Sequence, residues 1–369
     1  MDHESEGRGA GDSALLVALQ FPGDCLYETE ASLAELHSLT ENMGLSPADT
    51  LLARVRGPSP RFLAGTGKAE EIRVAAENSR ARYIVFDNEL SPSQQRNWEQ
   101  FTGLCVIDRR EVILQIFADR AMTREAQLQV ELARMEYSLP RLTRAWTHLS
   151  RQRGGARGTR GEGETQLELD RRRVLARIDK AKALLKKVRK QRQTQRSLRE
   201  RAAIKTGAIV GYTNAGKSSL LRALSGGELY VADKLFATLD PATRRVRLSA
   251  KSEILLTDTV GFIRRLPHEL IEAFKSTLEE TVLADFLVHV LDASDPHLEE
   301  RARTTRDILG QIGAAGKPVI SVFNKIDLCA DPAALRSLAA GYPNPAFVSA
   351  SSGAGAGELR ALIAGLVHA

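Results

Sequence analysis

The run Gly211-Tyr-Thr-Asn-Ala-Gly-Lys217-Ser218 decides the fold of the C-terminal half of this 369-residue chain. An apolar stretch at residues 208–210 precedes it, and a helical pattern at residues 218–224 follows it. The glycines therefore fall at a strand-to-helix turn, where side chains would keep a phosphate group away from the backbone. Backbone N–H groups and the positive end of the helix then face an anion. The sequence predicts a nucleotide triphosphate site, in which Lys217 reaches the outer phosphates and the Ser218 hydroxyl binds Mg²⁺.

The motif Asn324-Lys-Ile-Asp327 indicates that the base is guanine. It directly follows a buried-strand pattern at residues 318–323, at the carboxyl end where open α/β sheets bind ligands. The Asp327 carboxylate only accepts hydrogen bonds, which suits the ring N–H and amino group of guanine, whereas adenine offers no matching donors. Since an unpaired buried acceptor costs about 1 to 3 kcal/mol, each lost bond gives roughly tenfold or more discrimination.

Other residues near this motif complete the predicted base site. We expect Asn324 to join neighbouring loops and the stem of Lys325 to cover the base. Ser349-Ala-Ser351 follows a further short strand pattern at residues 346–348, and the Ala350 N–H is expected to bind the guanine carbonyl. Because Asn-Lys-x-Asp alone often marks a solvated turn, this second loop strengthens the prediction.

Two segments between these ends have the spacing of nucleotide switches. Asp258 and Gly261 belong to Asp-Thr-Val-Gly after a strand pattern, and we expect Asp258 to hold Mg²⁺ through water while the Gly261 N–H contacts the γ-phosphate. Upstream, residues 235–241 read Leu-Phe-Ala-Thr-Leu-Asp-Pro without clear periodicity. Thr238 is the preferred hydroxyl for closing over Mg²⁺ in the triphosphate state, and Thr243 is the alternative.

Phe262 follows Gly261, at the position where signalling GTPases of the Ras type carry a glutamine that orients the attacking water. A phenyl ring cannot orient water. We therefore expect hydrolysis by the isolated protein to be slow, with a partner that orders the switches or supplies the missing group, an effect of about 10³ to 10⁵ when such groups are delivered in trans. The alternative is that Phe262 simply packs beneath the switch helix.

Five motifs in this order are typical of a GTPase domain of the translation-factor type, with GTP and Mg²⁺ as cofactors. The predicted catalytic residues are Lys217, Thr238 and Gly261, and the predicted Mg²⁺ ligands are Ser218 and Thr238. The predicted nucleotide-binding residues are Gly211, Tyr212, Thr213, Asn214, Ala215, Gly216, Lys217, Ser218, Phe236, Ala237, Thr238, Leu239, Asp240, Asp258, Thr259, Val260, Gly261, Asn324, Lys325, Ile326, Asp327, Ser349, Ala350 and Ser351.

Composition describes an ordinary soluble protein, with 27% charged and 43% hydrophobic residues. No stretch is long and apolar enough to span a bilayer, and the polar first residues do not resemble a signal peptide. The three cysteines are far apart and odd in number, so they fit neither a disulfide framework nor a metal site. We therefore expect a cytoplasmic protein, and a monomer.

Residues 141–205 carry 21 Lys and Arg against 6 Asp and Glu, so the net charge of +6 conceals a strong asymmetry. Apolar residues repeat at alternating steps of four and three in two places, which predicts two long helices in an antiparallel hairpin. Pro140 should kink the first helix, because proline removes a backbone donor and clashes with the preceding turn. The two runs are Leu128, Leu132, Met135, Leu139, Leu142, Trp146 and Leu149, and Val174, Ile178, Ala181, Leu185 and Val188.

Residues 151–163 join the two predicted helices and are too rich in glycine for us to expect a helix there. Arginine can fork onto phosphates and stack on bases, and glycine lets the backbone approach closely, which suits RNA recognised by shape. We interpret this segment as a tip that contacts RNA, and the alternative is a solvated linker beside a charged helix face. The predicted RNA contacts are Arg151, Arg153, Arg157 and Arg160.

The first 118 residues alternate strand and helix patterns, which predicts a small parallel α/β domain. Gly65-Thr-Gly-Lys68 superficially suggests a second phosphate loop, but Phe62 stands where that motif requires glycine. A turn that opens a helix is the favoured interpretation, and a weak nucleotide or RNA contact is the alternative. Strand patterns lie at residues 15–21, 51–55, 83–86 and 105–107, and helical patterns at residues 32–42, 69–78 and 91–101.

The order of these parts resembles the HflX family of ribosome-associated GTPases, from near residue 14 to the end of the GTPase domain. The most specific segments are residues 65–68, 106–109, 113–117, 128–132, 161–168, 235–241 and 258–262. The resemblance implies an N-terminal α/β subdomain at residues 14–118, a basic helical hairpin at 119–203 and a P-loop GTPase domain at 204–369, after a disordered start at 1–13.

The resemblance also implies a function. Family members bind the large ribosomal subunit and its rRNA and split or rescue stalled ribosomes, with GTP-dependent docking, ribosome-stimulated hydrolysis and a hairpin tip near the peptidyl-transferase region. A passive rRNA-binding stress, hibernation or subunit-assembly factor that uses GTP as a conformational ligand is the alternative. Two features depart from the family: many members carry proline where Glu162 stands, and we expect the extra C-terminal domain of longer members to be missing after the helix pattern at residues 357–367.

Overall fold

The computed structural model describes residues 12–142, 160–200, 204–226, 235–236, 239–249, 252–264 and 275–368, with the backbone alone at residues 160–167, 189–200, 275–277 and 368. The chain divides into two compact units, Met1–Asp119 with Arg134–Asp179, and Arg120–Ala133 with Lys180–Ala369. The predicted hairpin segment is therefore shared between the two units.

The first unit is built on a four-stranded parallel sheet in the order β2-β1-β3-β4. Its strands are β1 (Ser13–Gln20), β2 (Ser46–Arg54), β3 (Tyr83–Phe86) and β4 (Cys105–Asp108). Its helices are α1 (Leu26–Met43), α2 (Thr66–Asn78), α3 (Pro92–Thr102) and α4 (Arg109–Arg120). The central strand β1 is buried except at its ends, as expected where helices cover both faces of a parallel sheet.

Aromatic packing beneath α3 closes the core of this unit. Trp98 is fully buried, and its ring centroid lies 5.0 Å from those of both Phe62 and Phe86. The indole N–H donates to the Phe62 carbonyl at 2.9 Å, so the one polar atom of this large side chain is satisfied. Phe62 thus has a packing role, which explains its place in a sequence that superficially resembles a phosphate loop.

The predicted parallel α/β domain is confirmed, with each predicted strand and helix found within a few residues of its expected position. Gly65 is the residue before α2, which confirms that this sequence is a turn that opens a helix, and Lys68 pairs with Glu71 at 2.6 Å on the surface. Helix α4 was not predicted from the sequence. Its apolar residues are buried in a nearly continuous run at residues 112–117, so no amphipathic period marks it as a helix.

Two helices lie in the segment predicted as a hairpin, α5 (Arg124–Ser138) and the basic α6 (Arg160–Glu200), and a 3₁₀ turn (Leu139–Arg141) follows α5. Where a kink was predicted at Pro140, the structure instead ends α5 at Ser138 and continues as the 3₁₀ turn. Of the predicted apolar runs, Leu128, Leu132, Ile178, Ala181 and Leu185 are buried, and Trp146 and Leu149 lie outside the described residues.

The start of α6 differs from the prediction. The tip was expected to be non-helical through residue 163, but the helix already begins at Arg160. Glu162 stands in the first turn of α6, where a negative charge is favourable. The antiparallel pairing of α5 with α6 stays a prediction.

A buried polar network in the first unit holds the turn that follows α5. Arg141 donates from Nε to Gln95 Oε1 at 2.9 Å and from Nη2 to the Leu90 carbonyl at 2.8 Å, and its guanidinium lies 3.6 Å from the centroid of the Tyr137 ring. The Tyr137 hydroxyl donates to Asp108 at 3.1 Å. Burial, and then the neighbouring Asp108 and other carboxylates, raise the pKa of Tyr137, so the phenol remains a donor.

The described part of the second unit contains a six-stranded sheet in the order β10-β9-β8-β5-β7-β6. Its strands are β5 (Thr206–Gly211), β6 (Ala242–Ser249), β7 (Ser252–Asp258), β8 (Phe286–Asp292), β9 (Val319–Asn324) and β10 (Pro345–Phe347). Its helices are α7 (Lys217–Ser225), α8 (Lys275–Leu283), α9 (Leu298–Gln311), α10 (Pro332–Ala339) and α11 (Ala356–His368). The pairs along the sheet are parallel except for β6 with β7.

This arrangement determines where the predicted motifs meet. The parallel strands β5, β7 and β9 each end directly before or within a predicted motif, so the motifs gather at one edge of the sheet, as is usual for ligand sites of open α/β folds. Because β6 is antiparallel, its first residue, Ala242, pairs with Asp258 at the same edge. Across the described part of the chain, no helix has both the length and the apolar character needed to cross a membrane.

Replacing Arg141 by alanine should destabilise the first unit by about 2 to 4 kcal/mol, because its buried acceptors then lose charged donors. Arg110→Ala is the matched control, since Arg110 lies farther from the Tyr137 ring, at 5.3 Å, and we expect a loss below about 1 kcal/mol. Urea unfolding followed by the fluorescence of the buried Trp98 measures both. Equal losses in the free energy of unfolding would show that the hydrogen bonds of Arg141 to Gln95 and to the Leu90 carbonyl do not stabilise the unit.

Candidate nucleotide site and its switches

The phosphate loop turns between β5 and α7 and needs glycine where the helix begins. Gly216 has a φ of +88°, and a Cβ there would overlap the side-chain amide of Asn324. No side chain caps the start of α7. The first N–H groups of the helix have no intrahelical partner, so together with the helix dipole they offer donors to an anion.

Lys217 lies buried beside this loop. Its ammonium donates to the Tyr212 carbonyl at 2.7 Å, and the side chain reaches the phosphate loop rather than solvent. Burial lowers the pKa of Lys217 to about 8, and the neighbouring Asp258 opposes this effect. A cation in this position gains most from an arriving phosphate, because the phosphate compensates its lost hydration.

Two oxygen donors suited to Mg²⁺ meet next to the phosphate loop. The Ser218 hydroxyl donates to Asp258 Oδ2 at 2.5 Å, so a hydroxyl oxygen and a carboxylate oxygen lie side by side. Mg²⁺ prefers hard oxygen ligands and keeps several waters when it binds with nucleotide phosphates. These residues fit the predicted ion, with Ser218 as a direct ligand and Asp258 as an acceptor for bound water.

The segment after β7 crosses the phosphate loop and forms main-chain hydrogen bonds with it. Phe262 donates its N–H to the Gly211 carbonyl at 3.1 Å, and its carbonyl accepts from the Thr213 N–H at 2.8 Å. A Cβ on Gly261 would lie 2.8 Å from the Thr213 Cα and 2.9 Å from Lys217 Nζ, so only glycine allows this approach. Gly261 therefore lies beside the phosphate loop and Lys217, and its contact with the γ-phosphate stays a prediction.

The ring of Phe262 points into the core. It is 1% exposed and belongs to an apolar cluster with Ala208, Val210, Leu278 and Leu287. Phe262 therefore packs beneath α8, which carries Leu278, and because a packed phenyl ring also offers nothing to water, this packing is compatible with the expectation of slow hydrolysis. No side chain from this position is therefore directed towards the phosphate loop.

Tyr212 has a further role that the sequence did not reveal. Its hydroxyl accepts the Arg264 N–H at 2.9 Å, and the Arg301 guanidinium lies 4.9 Å from its ring centroid. Arg264 also forms an ion pair with Glu300 of α9. Tyr212 thus joins the phosphate loop to both the second switch and α9. In the sequence, the one feature that could have indicated this role is an aromatic residue among the small residues of the phosphate loop.

We call residues 235–241 switch I. Phe236 and Leu239 are each 2% exposed, whereas Ala237 and Thr238 lie outside the described residues, so the role of Thr238 stays a prediction. The alternative, Thr243, lies in β6, and its hydroxyl hydrogen-bonds to the Thr257 hydroxyl at 2.9 Å. The hydroxyl of Thr243 is thus engaged within the sheet, and the choice between Thr238 and Thr243 stays a prediction.

Asp240 of switch I contacts a segment that the sequence did not connect with it. Its carboxylate accepts the main-chain N–H groups of Met122 and Thr123, at 3.0 and 3.1 Å. From the sequence, Asp240 was expected only in the nucleotide site. Its side chain instead engages the residues that precede α5.

Asn324 joins the loops of the predicted base site, as expected from the sequence. The side chain is 1% exposed, with Nδ2 donating to the Ala215 carbonyl at 2.9 Å and Oδ1 accepting the Ala350 N–H at 3.0 Å. The Ala350 N–H, expected to bind the guanine carbonyl, is thus engaged with Asn324. Lys325 pairs with Asp292 at 2.7 Å, which orients its stem.

The predicted guanine acceptor lies at the surface of this edge. Hydrogen bonds from the Ser349 hydroxyl, and more weakly from Ser351, lower the pKa of the Asp327 carboxylate, so it is ionised at neutral pH. A carboxylate can accept about four hydrogen bonds, so Asp327 can accept from a ligand while keeping those from the serines. This agrees with the role assigned to Asp327.

The structure gathers the phosphate loop, the second switch and the two base loops at one edge of the sheet. For the predicted RNA contacts, the structure describes no side chains. Arg151, Arg153 and Arg157 lie outside the described residues, and Arg160 is the first residue of α6, described by its backbone alone.

Three family models match the chain and together cover most of it. "GTP-binding GTPase N-terminal" matches residues 30–118, "GTP-binding GTPase Middle Region" matches residues 120–199, and "50S ribosome-binding GTPase" matches residues 206–325. The last match contains the phosphate loop, both switches and the Asn324 to Lys325 pair.

Curated relatives match at high identity over most of their length. "GTPase HflX" of Akkermansia muciniphila is 53% identical over 356 residues, which covers 94% of this chain and 82% of that protein. "GTPase HflX" of Escherichia coli is 44% identical over 352 residues, which covers 95% of this chain and 82% of that protein. Among solved structures, a crystal structure of SsGBP in complex with GDP covers 97% of this chain and 98% of its own, at 25% identity and a TM-score of 0.52.

Asp327→Ala should remove the preference for GTP over inosine triphosphate, which lacks the 2-amino group of guanine. The unchanged protein should bind GTP roughly tenfold or more tightly than inosine triphosphate, because the latter leaves the carboxylate one donor short. Titrations of both nucleotides against both proteins measure this. If Asp327→Ala still prefers GTP by the same factor, another residue reads the amino group.

Proposed function

The chain belongs to the HflX family and is a GTP hydrolase, and from this premise we propose that its GTP form docks on the large ribosomal subunit and splits or rescues stalled ribosomes. The match of residues 206–325 to a ribosome-binding GTPase supports the partner. The basic stretch at residues 141–205 supports rRNA as the surface contacted, because phosphates attract Lys and Arg.

The burial of the Phe262 ring is the observation that carries this proposal. The ring fills the core beneath α8, so the position after Gly261 contributes no group that could orient the attacking water. The isolated chain then hydrolyses GTP slowly, and a bound partner raises the rate. The ribosome is the partner that fits, since it meets both the GTPase domain and the basic hairpin.

Different residues of the site bind the phosphates, Mg²⁺ and the guanine base. Lys217 and the start of α7 bind the phosphates, and Gly261 contacts the outermost of them when GTP is present. When bound, Mg²⁺ neutralises charge on the phosphate oxygens, with Ser218 and Thr238 as its protein ligands. Asn324 keeps the phosphate and base loops in register, and Asp327 selects guanine.

Docking supplies the free energy for splitting, and hydrolysis resets the protein. A ligand shifts an equilibrium only by its differential affinity, so GTP must favour the conformation that binds the large subunit. In this scheme the arginine-rich tip enters the rRNA near the peptidyl-transferase region, and ribosome contact then triggers hydrolysis and release.

We propose that the protein acts as a monomer in the cytoplasm.

Ribosome splitting should require the GTP form. With Mg²⁺ and a non-hydrolysable GTP analogue, the protein should lower the light scattering of intact ribosomes, whereas GDP should leave it unchanged. Added large subunits should raise GTP turnover by about 10³-fold or more, since they supply what Phe262 lacks.

Lys217→Ala serves as the control without a phosphate-binding cation and should show neither effect. Equal splitting with GDP and the analogue would contradict the proposal. Nucleotide-independent binding to large subunits without splitting would instead favour a passive rRNA-binding factor. Fast turnover by the pure protein, with no rise on adding subunits, would exclude the partner-dependent step.

Replacing Arg151, Arg153 and Arg157 together by alanine should weaken binding to large subunits and reduce its salt dependence. The slope of log affinity against log salt should fall by roughly 0.7 to 0.9 for each phosphate that the variant no longer neutralises. The matched control replaces the exposed Arg171, Arg172 and Arg173 of α6, which removes the same charge. An equal effect of the two triple variants would show that overall charge, and not the tip, binds RNA.

A further inference from the structure

We propose that Asp240 is a positioning residue that connects switch I to the N-terminal end of α5, and so connects the nucleotide state to the basic hairpin. The inference rests on the proposed function in one respect, because it takes switch I as the segment that GTP orders. Asp240, Met122 and Thr123 all belong to the second unit, so the contact lies within one compact body.

One carboxylate receives three hydrogen bonds from two consecutive residues. Asp240 Oδ2 accepts the N–H groups of Met122 and Thr123 at 3.0 and 3.1 Å, and Oδ1 accepts the Thr123 hydroxyl. Both carboxylate oxygens are therefore used. The partners are more than a hundred residues apart in sequence, so the contact is a tertiary one.

Thr123 also forms hydrogen bonds with the first turn of α5. Its Oγ1 accepts the Ala126 N–H at 3.2 Å, and its carbonyl accepts the Gln127 N–H at 2.9 Å, so Thr123 caps α5. A hydroxyl that accepts from the helix still has its proton to donate, and that proton goes to Asp240. The bonds to a charged acceptor are strengthened, and a negative charge is favourable at the start of a helix.

The position of Asp240 in switch I makes the contact sensitive to nucleotide. It stands two residues after Thr238, the predicted Mg²⁺ ligand, and two residues before Ala242, which pairs with Asp258 at the edge of the sheet. When Thr238 is held at the nucleotide, the short segment around Asp240 is held at both ends. Presenting the carboxylate to α5 then costs less conformational entropy.

GTP therefore strengthens the link, and GDP, by releasing switch I, weakens it. From its capped end α5 runs to the 3₁₀ turn Leu139–Arg141, after which the chain continues to the arginine-rich tip. A fixed start of α5 in the GTP form favours docking. A loosened start in the GDP form favours release.

Hydrogen exchange at the start of α5 tests the link without ribosomes. In peptides that span residues 121–128, exchange should be about three- to tenfold slower with saturating Mg²⁺ and a GTP analogue than with GDP. Asp240→Asn and Thr123→Val should each reduce this difference, because each removes at least one of the three hydrogen bonds. Asp331→Ala is the matched control, because Asp331 caps α10 with two equivalent bonds of 3.0 Å and should leave the difference intact.

Ribosome-stimulated turnover provides the second readout, through a double-mutant cycle. Thr123→Val and Asp240→Asn should each lower the stimulation several-fold, and the double variant should lose less than the sum of the two losses, because both variants remove the same side-chain hydrogen bond. Thr123→Ser, which keeps the hydroxyl, should restore the stimulation. Additive losses, or an equal loss in Asp331→Ala, would overturn the proposal.

The two readouts separate this inference from the proposed function. Nucleotide-dependent exchange in a protein whose turnover ignores ribosomes would support the link and contradict the ribosomal function. Strong stimulation together with identical exchange in the GTP-analogue and GDP forms would contradict the link alone.

Discussion

The side-chain amide of Asn324 is the interaction on which the candidate site depends. It is buried, and its two polar atoms hold the phosphate loop through Ala215 and the second base loop through Ala350. These loops follow different strands, so no local sequence can fix the distance between them. Removing the amide would leave a buried carbonyl and N–H without their partner, and such groups cost about 1 to 3 kcal/mol each. Gly216 lacks a Cβ for the same reason, since the amide occupies that space.

A second constraint separates binding from hydrolysis. The Phe262 backbone is bonded to the phosphate loop on both sides, while its ring is part of the core. The residue thus holds the second switch against the phosphate loop, while its side chain points away from that loop. Tyr212 extends the same arrangement to Arg264 and α9. Under the proposed function, such a site binds nucleotide without a partner, and the docking of the ribosome determines when hydrolysis occurs.

Sequence patterns predicted the structure best where the chemistry requires particular residues at fixed spacing. The phosphate loop, the Ser218 and Asp258 pair and the bridging role of Asn324 follow from motifs, because phosphate, Mg²⁺ and guanine each limit the residue types allowed. The alternation of strands and helices in the first 118 residues likewise predicted the parallel sheet. The patterns failed for α4, whose buried residues have no amphipathic period, and for the first turn of α6, where glycines concealed a helix start.

The sequence by itself determined the ligand class, the order of the parts and the positions of the basic and apolar runs, since these depend on local spacing and composition. Tertiary structure alone decided which way the Phe262 ring points, that Thr243 is engaged in the sheet, and that Asp240 binds the start of α5. Each of these contacts joins residues far apart in the chain, and their partners are set by how the sheet brings strand ends together. A pattern read along one segment contains no information about the segment folded against it.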